Sequence, residues 1–219
     1  MSTSRPILFN DEMVRAILDG RKTVTRRVVD SIAGMGRVTE FQASDTPGYA
    51  WTFRDRRLLW NDLTDSQLPS RCPFGKPGDR LLVRESGKVI AVRHSVGGEA
   101  AALKVQYRAD GAVTDWMPLP KRMGADLPSW ALKFHHVPNG VFREASRITL
   151  EITDIRCQRL QDISEEDAIA EGVVCPRLGT YGMKPETVFR DLWDSIANPG
   201  AKWDDAPWVW AISFKRVEA

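Results

Sequence analysis

Between Gly20 and Val28 the chain sets Arg21, Lys22, Arg26 and Arg27 around the hydroxyls of Thr23 and Thr25, so four cations and two hydroxyls share seven residues. Cations this dense can face an anion such as phosphate, or stabilise the oxyanion that forms when a carbonyl is attacked. The same charges can instead complement the negative end of a helix and decorate an edge strand. Composition leaves both readings open.

The flanking elements decide how these groups are aimed. Upstream, Asn10 or Asp11 can cap a helix whose apolar residues Met13, Val14, Ile17 and Leu18 recur at three- and four-residue steps, and Gly20 is its natural stop. Downstream, Thr23 to Val29 is β-prone. Extended, that run puts Lys22, Val24 and Arg26 on one side and Thr23, Thr25 and Arg27 on the other. A turn before Val24 would relax this and let Lys22 and Thr25 converge.

Around this segment the signals alternate between clear and weak. Pro6 to Phe9 reads as a short strand. From Ser31 to about Pro77, Gly and Pro punctuate apolar pieces at Tyr49–Phe53 and Leu58–Trp60, which predicts an insertion with a small hairpin. A turn at Lys76–Asp79 leads into a buried strand, Arg80–Glu85. Ser86 to Glu144 is irregular apart from a half-buried strand at Leu103–Arg108 and a turn at Asp110-Gly111, and it is loop-like through Pro118, Pro120, Gly124, Pro128, Pro138 and Gly140. Ser146–Arg156 is a long strand with one wet face. Ser164 and Asp167 form an N-cap with Ile163 and Ala168 as its staple, and Gly172 ends that helix. Pro185 opens another helix, Thr187–Ile196, with an apolar stripe of Val188, Phe189, Leu192, Trp193 and Ile196. Trp208–Lys215 alternates as a closing strand.

A chain of 219 residues can bury one core, so the expectation is a single domain with insertions at about 31–76 and 86–145. A net charge of +2 is too small to mark a polyanion-binding protein by itself, which shifts attention to the local clusters at Arg21–Arg27, Arg54–Arg57 and Lys76–Arg93 and to the acidic block Asp162–Glu171. Cys72, Cys157 and Cys175 make no CxxC, so neither a disulfide framework nor a zinc knuckle is indicated and a cytoplasmic location is expected. His135 and His136 point apart on an extended segment, and with His94 they make no HxxxH or HxE pattern. No metal and no cofactor is expected. No stretch approaches the roughly eighteen apolar residues of a membrane span, so no membrane partner is expected either. The eight tryptophans are read chiefly as core, with base stacking as the minority role.

The order Gly-Arg-Lys-Thr-Val-Thr-Arg-Arg, then Pro-Gly-Asp-Arg-Leu-Leu-Val-Arg-Glu, then Leu160-Gln161-Asp162-Ile163-Ser164, then Trp-Val-Trp-Ala-Ile-Ser-Phe resembles the ASCH domain, and most of all the longer ASCH proteins of bacteriophages and prophages. The resembling segments, roughly 7–29, 77–85, 146–172 and 185–216, cover about half the chain. The resemblance implies an α+β, PUA-like fold: a small, mostly antiparallel β-barrel flanked by helices. Members of the family include RNA-binding modules, a ribonuclease and small amidohydrolases that deacetylate N4-acetylcytidine.

In those amidohydrolases the functional trio is a Lys and a Thr three residues apart and a Glu late in the acidic helix, which fall here on Lys22, Thr25 and Glu171. Glu165, Glu166 and Asp167 compete for the last role. On this reading Thr25 attacks or positions water, Lys22 accepts its proton or stabilises the oxyanion, and Glu171 relays a proton or activates water. Arg21, Arg26, Arg27 and Arg84 are the expected nucleic-acid contacts. The expected partner is thus a modified nucleoside, RNA or DNA. A non-catalytic RNA- or DNA-binding module, and a phage accessory protein that binds a host protein through its insertions, are the competing expectations.

Overall fold

The computed structural model describes residues 2–95, 100–119, 127–133, 136–137, 140, 142–175, 177–178 and 181–217. The loop signals at Pro120, Gly124 and Pro138, and His135, lie outside the described residues. In chain order the elements begin with β1 (Ser4–Leu8), α1 (Asp11–Leu18), β2 (Val24–Val28), β3 (Ser31–Ile32), β4 (Gly36–Ala43), β5 (Trp51–Asp55) and β6 (Trp60–Leu63). They continue with β7 (Arg80–Arg84), β8 (Gly87–Arg93), β9 (Ala102–Tyr107), β10 (Met117–Pro118), α2 (Ser129–Leu132) and β11 (Thr149–Arg159). The last are α3 (Glu165–Ala170), β12 (Arg177–Leu178), β13 (Tyr181–Gly182), α4 (Pro185–Ile196) and β14 (Trp208–Val217). The class is α+β, with several antiparallel sheets.

The chain divides into two compact units. The first comprises Met1–Thr3, Asp19–Arg80 and Glu151–Lys215. In it β14 lies between β11 and β2, and it pairs antiparallel with β2 so that Ile212 is opposite Thr25 and Ala211 opposite Arg26. Val209, Trp210, Ala211 and Ile212 are all fully buried, as a strand covered on both faces must be. Leu160, Ile163, Ala168, Phe189, Trp193 and Val209 form the core that seats α3 and α4. Where the sequence predicts a small hairpin, a four-stranded antiparallel sheet, β3-β4-β5-β6, is found.

The second unit comprises Ser4–Leu18, Leu81–Leu150 and Arg216–Ala219. Here β7 lies between β1 and the first residues of β11, and β9 sits at the centre of a three-stranded sheet, β10-β9-β8. Leu103, Val105, Leu127, Ala131 and Phe142 are in its core. Tyr107 donates its hydroxyl to the Ala145 carbonyl at 2.7 Å, and the Arg147 guanidinium lies 4.0 Å from the centre of the Tyr107 ring while pairing with Glu85 at 2.8 Å and Asp110 at 2.8 Å.

Several expectations need correction. Residues 87–93, read as irregular, form β8; a register shift between Val89 and Ala91 breaks the alternation that would have revealed it. Ile196 is 56 % exposed, so the buried stripe of α4 narrows to Phe189 and Trp193. None of the described sheets closes into a barrel: in each, the outermost strands remain edges. No described helix is long and apolar enough to cross a membrane.

Candidate functional site

The site of interest is built where β2 begins and α3 ends. Helix α3 starts at Ser164, whose hydroxyl accepts the Asp167 N–H at 3.2 Å, and it stops at Glu171, because Gly172 takes a φ of +88° that favours glycine. The incoming strand uses the exposed carbonyls of this helix end. Thr23 N–H donates to the Ala170 carbonyl at 2.8 Å, and Arg21 Nη1 donates to the Gly172 carbonyl at 2.9 Å. On its other flank the Thr23 carbonyl accepts the Phe214 N–H at 2.8 Å, locking the segment to β14.

This docking buries a charge cluster. Lys22 Nζ donates to Glu171 Oε2 at 2.5 Å, to the Glu171 carbonyl at 2.8 Å and to the Val24 carbonyl at 2.9 Å, a full set of acceptors for an ammonium group. Arg26 Nη1 donates to Glu171 Oε1 at 3.2 Å and Nη2 to Asp167 Oδ2 at 2.5 Å. Arg156 closes the cluster on Asp167 at 3.1 Å. The Lys22 and Arg26 side chains are 0 % exposed and Glu171 is 3 % exposed, so these charges answer one another and not water. Burial lowers the Lys22 pKa below its ordinary value; the Glu171 carboxylate opposes that shift, and Arg27 and Arg26 add to it. Burial lowers the Arg27 pKa too, again against the pull of Glu171.

Two of the three predicted catalytic residues, Lys22 and Glu171, are therefore in direct contact. Thr25, 1 % exposed, lies on the other side of the strand with Arg27, whose Nη1 donates to its Oγ1 at 3.0 Å, as the period-two alternation requires. Of the predicted nucleic-acid contacts, Arg26 is enclosed in the cluster, whereas Arg21 is at the surface beside Asp19 at 3.0 Å. Arg84 belongs to the second unit, where it donates to the Gly140 carbonyl at 3.1 Å. Sequence reasoning missed Asp167 as the partner of Arg26. A signal for it existed: Asp167 and Glu171 are four apart on one helix face, matching Lys22 and Arg26, four apart on one strand face.

Beside the cluster lies a cleft of about 350 Å³ whose lining includes Arg26, Arg27, Asp30, Arg37, Trp193 and Asn198. Among the described residues no group of three or more His, Cys, Asp or Glu is placed to hold a metal ion. The Lys22 ammonium and the Glu171 carboxylate meet at 2.5 Å in a dry setting, where burial disfavours the charged form of Lys22 and its carboxylate partner favours it. No protein family, curated protein or solved structure matches the chain.

Proposed function

We propose that the chain is an ASCH-type protein of PUA-like ancestry that binds a modified nucleoside or nucleic acid in the cytoplasm and removes an acyl group from the exocyclic amine of a cytidine-type base. The observation carrying this is the sealed 2.5 Å contact between Lys22 and Glu171, residues 149 positions apart. The pair ties the end of α3 to the start of the strand that carries Thr25. Thr25 Oγ1 attacks the acyl carbon, and Arg27, already bonded to this hydroxyl on the strand face away from Lys22, steadies the oxyanion. The C–N bond then breaks as the hydroxyl proton passes to the departing exocyclic amine. Water cleaves the Thr25 ester, releasing the carboxylic acid and restoring the hydroxyl.

Incubation with N4-acetylcytidine, followed by chromatography, tests this. Cytidine and acetate are expected in equal amounts, with turnover lost in Thr25→Val and kept in Thr25→Ser; no cytidine from folded wild-type protein refutes hydrolysis. One observation favours a second reading, a non-catalytic nucleic-acid-binding module: every Lys22 N–H is already spent within the protein. Exposed arginines such as Arg21, Arg56 and Arg57 would then contact phosphate, and affinity for short RNA would fall steeply with salt in the absence of turnover.

A further inference from the structure

The sheet β3-β4-β5-β6 ends on β6, and little protects that edge. In the hairpin joining β5 to β6, the Asp55 N–H donates to the Leu59 carbonyl at 3.0 Å, and two residues further on Phe53 lies opposite Asn61. Backbone groups of an antiparallel strand turn to alternate sides, so Leu59, Asn61 and Leu63 bond towards β5 while the N–H and C=O of Trp60 and Asp62 point away from the sheet. Edges are commonly guarded by lysine, proline, a bulge or a covering element. The strand β6 contains neither lysine nor proline, its register with β5 is unbroken, and among the described residues no strand pairs with its outer side.

The turn leading into β6 shows apolar surface on a fixed frame. Leu58, Leu59 and Trp60 are 56 %, 53 % and 51 % exposed. Leu58 takes a φ of +63°, which leucine rarely adopts, and the buried Asp55 holds the turn by accepting the Arg57 N–H at 2.8 Å and the Leu59 N–H at 3.0 Å. Three adjacent large apolar side chains preset in this way form a patch suited to cover by another surface.

The stretch from Arg56 to Asp65 is complementary to itself when run antiparallel, with cations at its start and carboxylates towards its end. A two-fold axis through Asn61, perpendicular to the sheet, sets Trp60 opposite Asp62 of a second copy, so that the outward backbone groups of each chain meet those of the other and each face of the sheet continues across the axis. Leu59 then falls beside the second copy's Leu63, on the face where Phe53 is buried. The Trp60 indole N–H, which has no acceptor among the described residues, comes to the Asp62 carboxylate, which accepts from the Ser44 hydroxyl at 3.1 Å. Arg57 comes level with the second copy's Asp65, an exposed carboxylate that pairs with no cation among the described residues.

We propose that two copies of this chain pair antiparallel through β6, joining their four-stranded sheets into one continuous sheet. The edge lies in the segment 31–76, outside the stretches that resemble the ASCH domain, and the pairing does not rest on the nucleoside reading.

Sedimentation velocity of the full chain tests it, with near-UV circular dichroism to show that each variant is folded. The wild type is expected at twice the 24.6 kDa of one chain. Leu59→Lys, Arg57→Glu and Asp65→Arg should each weaken association about tenfold or more, moving the protein towards the single-chain mass. An equimolar mixture of Arg57→Glu and Asp65→Arg chains should regain the doubled mass, because the two substituted positions then face each other at one end of the ladder and the native Arg57 and Asp65 do so at the other. A wild type that stays at the single-chain mass overturns the proposal, including one that binds RNA or a different protein through this edge instead. So does a dimer that all three substitutions leave intact, or a pair of folded reversed chains that fail to associate when mixed.

Discussion

Replacing Glu171 with Gln is the most direct probe of the buried cluster. The carboxylate accepts from Lys22 at 2.5 Å and Arg26 at 3.2 Å while 3 % exposed. The amide keeps the shape but removes the charge, and its NH2 must face a donor on one side or the other. Arg26 retains Asp167 at 2.5 Å, so the orphaned charge is chiefly that of Lys22. Removing one member of a buried pair costs about 3–5 kcal/mol, a large share of the roughly 5–15 kcal/mol that holds a domain folded. With a urea dependence of about 2 kcal/mol per molar, the midpoint should fall by about 2 M. Lys22→Met should cost less, because Glu171 then keeps Arg26, and adding Lys22→Met to Glu171→Gln should recover part of the loss by removing the stranded ammonium. Urea unfolding followed by tryptophan fluorescence reads all three proteins. A Glu171→Gln midpoint within about 0.5 M of wild type, or a double variant no better than the single one, refutes the reasoning.

Two pH predictions follow from the same physics. Burial depresses the Lys22 pKa below its ordinary 10.5, so between the folded value and 10.5 the unfolded chain binds a proton that the folded chain has released; stability should rise with pH across that window, and urea midpoints of Lys22→Met should lack the rise. In the second unit, burial and then the Glu85 charge push the Tyr107 phenol up to about 12, so between 10 and 12 the folded chain keeps a proton that the unfolded chain loses and this group's contribution falls with pH; difference absorbance of wild type against Tyr107→Phe should place the missing titration near 12 and not near 10.

The local pieces of the fold were legible because their causes are local. Asn10 accepts the Met13 N–H at 2.8 Å and Ser164 that of Asp167 at 3.2 Å, each set by residues three apart. The strand β11 shows the shift between Ile152 and Ile155 that its apolar spacing announces. What depends on distant pairing was not legible. Only the end of α3 meeting Lys22 distinguishes Glu171 from Glu165 and Glu166, whose positions in the same acidic run are equally plausible by composition. Arg37 reaches the cleft because β4 pairs with β3 directly after β2, a juxtaposition no window of sequence contains. Alternation did separate Thr25 and Arg27 from Lys22 and Arg26, since a period of two survives whatever the strand packs against.

A buried ion pair is by itself weak evidence of function, because an apolar replacement of similar volume is often as stable. The pattern of completeness says more. Lys22 spends all its donors, and Glu171 and Asp167 each accept from more than one cation, so the interior of the cluster is closed. Among the described residues the one donor of the cluster without an acceptor is Arg26 Nε–H, which is itself fully buried. Thr25 is placed differently: its hydroxyl is one hydrogen bond from Arg27, which lines the neighbouring cleft. The Thr25 hydroxyl is thus tied to the cleft wall through Arg27, while Lys22 is enclosed on the other side of the strand, away from water. Arg27 and Arg26 are also the cations whose charges lower the Lys22 pKa, so these two residues couple the cleft wall electrostatically to the Lys22–Glu171 pair.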